Sequence, residues 1–584
     1  MIGSKALQVF DYIVISGYFI ILLGSATYFS KRLKLSKDFF TAGGNMPWWL
    51  AGISFFMASH SALSFVMYGE LGYKYGITSI ILFQCTLPAL ILAAVYIAKR
   101  WRRSRTSTPI QFLERRYSLY MRQALAWTGF PLRIIDDALK IFSTAIFLYV
   151  GMKVDIFSLE NVVTFVGIVM VIYAMLGGQQ GVILTDFLQF IVKMVIVIII
   201  FFITLYHFIF SNYMLTPLPS GFLNPLTGSY TALNYFAFFV LMLVSMNTSW
   251  SLVQKYNCVS KEKDAQRVAW TVVILNLISP IIFFTPAILA RSILPDLIDA
   301  KYSYAELAFS VLPSGMMGML VAGMFASTIS TMGSEFNVLA GILTNDLYKR
   351  IFKPNASEKE LLVVGRMSTI LIGLLIIGTS ILISILKGLN IFDIMLKAFG
   401  AIMPATALPI LVGFFWKRIT ARGAMAGLLS GAISGIGLVI LNVYLVNIYK
   451  NQFDGNSSLQ YWLNQGWDSL AILFNITITL LAMYFGSILN KSTEAEKMQV
   501  LNYFNDLRTP VSDEEIATAA AVSYKSNFQV MGIATMLFGA LMFIVGLLQY
   551  GLLSENFSVI LNITTGGIVL LIGNILYKKA KDSN

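Results

Sequence analysis

Long apolar runs recur along the whole chain and constrain its fold more than any other feature. About fifteen runs of roughly 20 residues can be marked, each long enough to cross about 30 Å of hydrocarbon as an α-helix. They lie near 8–30, 46–69, 76–98, 121–150, 160–177, 182–206, 234–256, 267–291, 305–348, 362–385, 391–416, 421–447, 467–490, 528–549 and 556–577. Only 12% of the residues are charged, against about 25% in soluble domains. The sequence therefore predicts an all-α polytopic membrane protein.

The basic residues predict how the chain is oriented in the membrane. Lysine and arginine cluster in loops that the alternation of spans places on one side, at 31–37, 99–117, 255–267, 349–360, 416–422, 491–527 and the C-terminal tail. The opposite loop, 211–234, has no Lys, Arg, Asp or Glu. By the positive-inside rule the N-terminus is expected outside and the C-terminus in the cytoplasm of a cell membrane. The net charge of +13 is thus a signature of topology in the lipid bilayer, which argues against nucleic acid as a partner.

The rare residue types exclude several functions. Two histidines and two cysteines are too few for a multi-histidine metal site or a disulfide framework. No nucleophile–base–acid set is visible, so we expect no enzyme activity and no organic cofactor. The first apolar run follows a single lysine and lacks a small-residue cleavage pattern, so no cleavable signal peptide is expected.

Two of the apolar runs are interrupted by polar residues. The interruptions fall at 54–65 and 245–254, in the first spans of two five-span blocks at 46–206 and 234–416. Interrupted spans at corresponding places in two halves are typical of inverted-repeat transporters that bind their substrates near the membrane midplane. The alternative is that small polar residues only allow close packing of helices.

A polar stripe crosses another run, in "FASTISTMGSEFN" (325–337). Ser327, Ser330, Thr331 and Ser334 follow at i, i+3, i+4 and i+7, so a helix places them on one face. Sodium is a hard cation that prefers oxygen ligands. Adjacent hydroxyls on this stripe, together with backbone carbonyls freed in the broken span at 54–65, could form an oxygen cage for sodium.

Four segments together resemble the sodium:solute symporter family, which includes sodium/sugar, sodium/proline and sodium/sialic acid transporters. They are "AGMFASTISTMGSEFNVLAGILTNDLYKR" (322–350), "SHSALSFVMYGELGYKYG" (59–76), "GGQQGVILTDFLQ" (177–189) and "FFWKRITARGAMAGLLSG" (414–431), within a likeness that spans about 8–447. The resemblance implies a five-plus-five inverted-repeat, leucine-transporter-like core and sodium coupling. It divides the chain into an N-terminal helix and loop (1–45), the first repeat (46–206), an extracellular loop (207–233), the second repeat (234–416) and additional helices (417–584).

The same resemblance assigns the sodium ligands. Ser330 and Thr331 take the places of the hydroxyl ligands, and Met57, His60 and Ser327 offer backbone oxygens. Ser327 and His60 are not the residue types usual at these places, which a carbonyl ligand tolerates.

The resemblance also marks an exit path for the ion. Asp186 matches the family's intramembrane aspartate, and Ser334 and Glu335 lie beside the path. A second sodium site of some relatives needs a hydroxyl at residue 333, which is Gly333 here. We therefore expect one sodium ion per solute.

The solute is predicted less sharply than the ion. Where sugar transporters of the family place Gln, Glu, Asn and Lys, this chain has Ser64, Phe83, Ser249 and Asn276, and Gln84 could replace the glutamate after a one-residue slip. The solute-site candidates are Ser59, Ser61, Ser64, Gln84, Asn247, Ser249, Trp250 and Asn276, with Tyr68 and Tyr73 as gate candidates. A sugar or related polar metabolite is the main interpretation, and a carboxylate such as sialic acid or an amino acid is the alternative.

Several charges within the spans have two interpretations. Asp186 and Lys193 lie seven residues apart and could simply pair, while Asp136, Asp137 and Lys140 could serve transport or reach the membrane surface. Glu335 could tune ion affinity or pair with Lys140 or Lys193. A passive channel and a transporter-like receptor are the alternatives from other functional classes.

Overall fold

Helices form all the regular secondary structure of the described residues in the computed structural model. The residues that the structure describes are 5–30, 44, 46–106, 109–153, 158–176, 179–210, 216–227, 230–385, 390–449, 457–490, 492–512, 514–515, 525–552 and 556–582.

The helices of the first half are α1 Val9–Ser30, α2 Trp48–Ser59, α3 Ala62–Tyr75, α4 Thr78–Arg103, α5 Pro109–Arg116, α6 Leu119–Met152, α7 Leu159–Leu176 and α8 Gln179–Phe210. Those of the second half are α9 Ala232–Met246, α10 Trp250–Asn257, α11 Glu262–Ile293, α12 Ser303–Val311, α13 Met316–Gly341, α14 Glu358–Ile385, α15 Ile391–Gly413, α16 Ala421–Tyr449, α17 Trp467–Leu489, α18 Glu494–Arg508, α19 Lys525–Leu552 and α20 Asn556–Asp582. A π-helical stretch, Ile342–Phe352, continues α13.

The long apolar helices correspond to the predicted spans. Among the described residues, 10 helices are long and apolar enough to cross a membrane, and the bent pairs α2–α3 and α9–α10 would raise this to 12. The shorter apolar stretches Val9–Ser25 and Leu159–Met175 and the charge-bearing α6 match the remaining predicted runs. The limits of the predicted domains stay a prediction.

One predicted span is divided in the structure. The run at 305–348 is interrupted after α12 by a turn that contains Pro313 and Gly315, whose φ is +86°. Proline cannot donate a helical hydrogen bond, and a positive φ favours glycine. The buried Asp11 of α1 then caps α13, since its carboxylate accepts hydrogen bonds from the backbone N–H of Gly315 (2.6 Å) and Gly318 (2.8 Å).

The two predicted breaks are confirmed. The axis bends by 55° between α2 and α3 and by 47° between α9 and α10. Helix α2 packs against α8, α10, α11 and α13. The first break is therefore placed beside the helix that carries the 327–334 stripe.

Candidate functional site

The break between α2 and α3 frees backbone groups that α13 and α8 satisfy. His60 has an extended backbone, and its carbonyl accepts hydrogen bonds from the Ser327 hydroxyl and from Lys193 Nζ at 3.3 Å. The backbone N–H of Ala62 donates to the Thr328 hydroxyl at 3.2 Å. Buried backbone groups must be paired, so side chains of a second helix complete the first. This arrangement couples the geometry of the break to the position of α13.

The predicted sodium hydroxyls lie on the same helix. Ser330 is buried, and its hydroxyl makes no hydrogen bond within the described part of the chain. Thr331 donates to the Thr328 carbonyl at 2.8 Å and keeps its lone pairs free to accept. The Met57 carbonyl accepts the His60 N–H at 3.2 Å. An unsatisfied buried oxygen among carbonyls and hydroxyls fits a small hard cation.

Ser327 differs in role from the sequence expectation. Its backbone oxygen is the predicted ligand, whereas in the structure its side chain holds the His60 carbonyl. The side chain of Ser334, a further predicted ion-path residue, lies outside the described part of the chain.

Asp186 lies directly behind this cage. It is buried in α8 and accepts a hydrogen bond from the Ser54 hydroxyl of α2. Its ion-pair partner is Lys255 of α10, with Nζ 3.9 Å from the carboxylate. The alternative in which Asp186 simply pairs with Lys193 is therefore wrong. The aspartate instead connects α8 to both broken helix pairs.

The break between α9 and α10 is held by α4. The indole N–H of Trp101 donates to the Asn247 carbonyl at 3.2 Å. The Asn247 side-chain amide donates to the backbone carbonyls of Ala89 (3.2 Å) and Leu243 (2.8 Å). Asn247 thus stabilises the break, and it does not line the cavity described next.

A cavity of about 190 Å³ lies between the two breaks. Most of the predicted solute and gate residues lie in its wall, together with two members of the predicted sodium cage. These are Ser59, Ser61, Ser64, Ser249, Trp250, Asn276 and Tyr68, with His60 and Thr331. The ion cage and the cavity therefore share a boundary.

Two further predicted residues face elsewhere. Gln84 does not line the cavity, because its side-chain amide donates to a backbone carbonyl of α11 at 3.0 Å, and Phe83 lines the wall instead. Tyr73 donates from its hydroxyl to the Leu294 carbonyl at 2.7 Å and is absent from the wall. The one-residue slip proposed for Gln84 is not what the helix adopts.

The cavity wall carries four charged side chains, all in ion pairs. Arg133 of α6 pairs with Glu335 of α13, and its guanidinium lies 4.1 Å from the centre of the Trp250 ring. Lys140 pairs with Asp136 at 2.7 Å and, behind the wall, with Asp137 at 2.9 Å. Glu335 therefore pairs with neither of its predicted partners, Lys140 or Lys193. A buried charge is tolerated only when it is paired, and each cation of this wall has a carboxylate.

The sequence reading missed Arg133. Residues 133, 136, 137 and 140 follow the i, i+3, i+4, i+7 spacing of one helical face. Extending the face of Asp136, Asp137 and Lys140 by one turn would have identified Arg133 as its first member. Ser54 and Lys255 carried no comparable signal.

These features define a class of protein. Two broken helices around a polar cavity, beside an oxygen cage, are the architecture of secondary active transporters with a leucine-transporter-like inverted-repeat core. The model of the sodium:solute symporter family matches residues 39–431, well over half of the chain. The chain belongs to the sodium:solute symporter family. It is a multi-pass membrane protein that performs sodium-coupled symport.

Several curated relatives are similar over most of the chain. The sodium/sialic acid symporter NanT of Aliivibrio fischeri is 26% identical over 444 residues, covering 73% of this chain and 87% of the relative. The human sodium/myo-inositol cotransporter 2 is 24% identical over 588 residues, covering 89% and 82%. The sodium/glucose cotransporter of Vibrio parahaemolyticus is 25% identical over 482 residues, covering 73% and 84%.

A solved structure supports the fold. The chain is similar to a Na⁺-coupled sialic acid symporter in a substrate-bound outward-open state, with a TM-score of 0.65 and 21% identity, covering 83% of this chain and 98% of the other.

Proposed function

We propose that the protein imports a small, neutral, polyhydroxylated solute, a sugar or polyol, together with sodium. It does so across the cell membrane, with its N-terminus outside and its C-terminus in the cytoplasm, and it catalyses no chemical reaction. The observation that carries the proposal is the charge balance of the cavity wall. Among the relatives, the myo-inositol and glucose cotransporters are named for solutes of this class.

The wall charges favour a neutral solute. Arg133 is held by Glu335, and Lys140 by Asp136 and Asp137. An anionic solute would have to displace one of these carboxylates, which leaves a buried charge uncompensated. Hydroxyls in the wall can instead exchange hydrogen bonds with a polyol, and they are supplied by Ser61, Ser64, Thr86, Ser245, Thr248, Ser249 and Ser251.

A carboxylate solute is the second candidate, and Arg133 is the observation that favours it. Its guanidinium lies in the cavity wall, and a guanidinium can bind a carboxylate through two parallel hydrogen bonds. In this case the solute replaces Glu335 as the partner of Arg133. The sialic acid symporter among the relatives is named for a solute of this kind.

Sodium binds at the oxygen cage in this proposal. Ser330 and Thr331 supply hydroxyl oxygens, and the carbonyls of Met57, His60 and Ser327 supply the rest. The bound ion holds the α2–α3 break against α13 and so stabilises the shape of the adjoining cavity. Coupling follows because each ligand binds the outward-open and inward-open states unequally.

Uptake into proteoliposomes tests the function. We expect myo-inositol or a hexose to accumulate when a sodium gradient is imposed, and sialic acid and proline to accumulate much less. Preferred uptake of an anion would favour the second candidate, and uptake that ignores the sodium gradient would indicate a passive channel. Asn276→Ala, in the wall, should raise the KM for solute about 3- to 10-fold for one lost hydrogen bond. Gln84→Ala, outside the wall, is its matched control and should behave as wild type.

A further inference from the structure

Lys193 is a buried cation at the predicted sodium site. It projects from α8, is fully buried, and forms no ion pair within the described ranges. Its Nζ donates to the His60 carbonyl at 3.3 Å, which is the oxygen that the first break offers to sodium. Burying a charge without a counter-charge is expensive. A lysine retained in such a place needs an explanation beyond packing.

The surroundings of the ammonium stabilise a cation without neutralising it. Lys193 Nζ lies 5.2 Å from the centre of the Phe56 ring and 5.8 Å from that of Phe283. Aromatic faces attract cations within about 6 Å. The nearby Asp186 already has Lys255 as its partner at 3.9 Å. The two lysines and one aspartate therefore leave one positive charge in excess before any sodium ion enters.

We propose that the Lys193 ammonium is a tethered cation that competes with sodium for the His60 carbonyl. It occupies this oxygen in the ion-free transporter and yields it when sodium binds. The lysine then joins the α2–α3 break to α8 in the empty carrier, which has to return across the membrane without an ion. This inference rests on the sodium site proposed above.

The separation of the two cations sets the size of the effect. Sodium is close in radius to calcium, whose oxygen ligands lie at about 2.3–2.6 Å. An ion bound to the His60 carbonyl would therefore lie within about 6 Å of an ammonium that stays 3.3 Å from the same oxygen. At an effective dielectric constant of about 20, repulsion at this distance weakens ion binding about 100-fold. Because the flexible lysine stem can move away, we expect at least a 10-fold effect rather than the full value.

A sodium titration of three variants tests the proposal. Lys193→Met removes the charge at similar volume, Lys193→Gln removes the charge but keeps a hydrogen-bond donor, and Lys193→Arg keeps the charge. Half-saturating sodium is measured at fixed pH in two ways, from the sodium-dependent shift in the melting temperature of purified protein and from solute uptake. We expect the methionine and glutamine variants to need at least about 10-fold less sodium, and the arginine variant to resemble wild type.

The possible outcomes are distinguishable. Unchanged or higher half-saturating sodium in both uncharged variants would overturn the competition while leaving the proposed sodium site intact. If only one uncharged variant folds, its titration alone decides in the same way. A wild-type protein that shows no sodium response in either measurement would overturn the sodium site and this inference together.

Discussion

Replacing Ser330 with alanine removes one oxygen from the proposed sodium cage and little else. The Ser330 hydroxyl is buried and has no hydrogen-bond partner among the described residues, so no protein contact is lost with it. A hydrogen bond or dipole contact to a charged group contributes about 1.5–3 kcal/mol. At 1.4 kcal/mol for each factor of ten, half-saturating sodium should rise about 10- to 150-fold.

The assay is solute uptake in proteoliposomes over a series of sodium concentrations, with melting temperature as a check on folding. Ser380→Ala is the matched control. Ser380 is also a fully buried serine of a membrane helix, α14, and its hydroxyl likewise has no partner in the described part of the chain. The control should keep wild-type sodium dependence, because it removes the same group far from the cage.

An unchanged sodium dependence in Ser330→Ala would refute the site assignment. Thr331→Ala extends the test, since Thr331 already donates to the Thr328 carbonyl and has only its lone pairs to offer an ion. We expect a shift in the same direction as for Ser330→Ala. Equal shifts in the Ser380 control would mean that the effect comes from packing rather than from the ion.

The spans and their breaks could be predicted because they depend on the chain's local composition. The thickness of the hydrocarbon sets the length of each apolar run, and polar residues inside a run mark where the helix opens. The span at 305–348 was the exception. Pro313 and Gly315 mark its interruption in the sequence, yet the apolar pattern continues across them and hides it.

The partners of the buried charges could not be predicted in the same way. Glu335 and Arg133 are 202 positions apart, and the hydropathy pattern holds no information on which helices face one another. Asp186 and Lys193 share a helical face, which made their pairing plausible, but the packing of α2 and α10 against α8 gives Asp186 other neighbours. Local periodicity identifies a face, whereas the tertiary fold selects the partner.

Three further outcomes are expected. Asp186→Asn should slow turnover more than it weakens solute binding, because Asp186 contacts Ser54 and Lys255 rather than the cavity. A normal maximal rate with weakened solute binding would contradict this. Glu335→Gln should lower the melting temperature, since it leaves the buried Arg133 without its carboxylate, a change that costs about 3–5 kcal/mol. An unaltered melting temperature would show that the pair adds no stability. Finally, the coupling ratio should be one sodium ion per solute. A second cage would need a hydroxyl at residue 333, where the chain has glycine, and Glu335 cannot fill the gap while it is paired with Arg133. The reversal potential of solute flux, measured as the sodium gradient is varied, gives the ratio directly. A value near two would mean that another residue completes a second site and that the glycine argument is wrong.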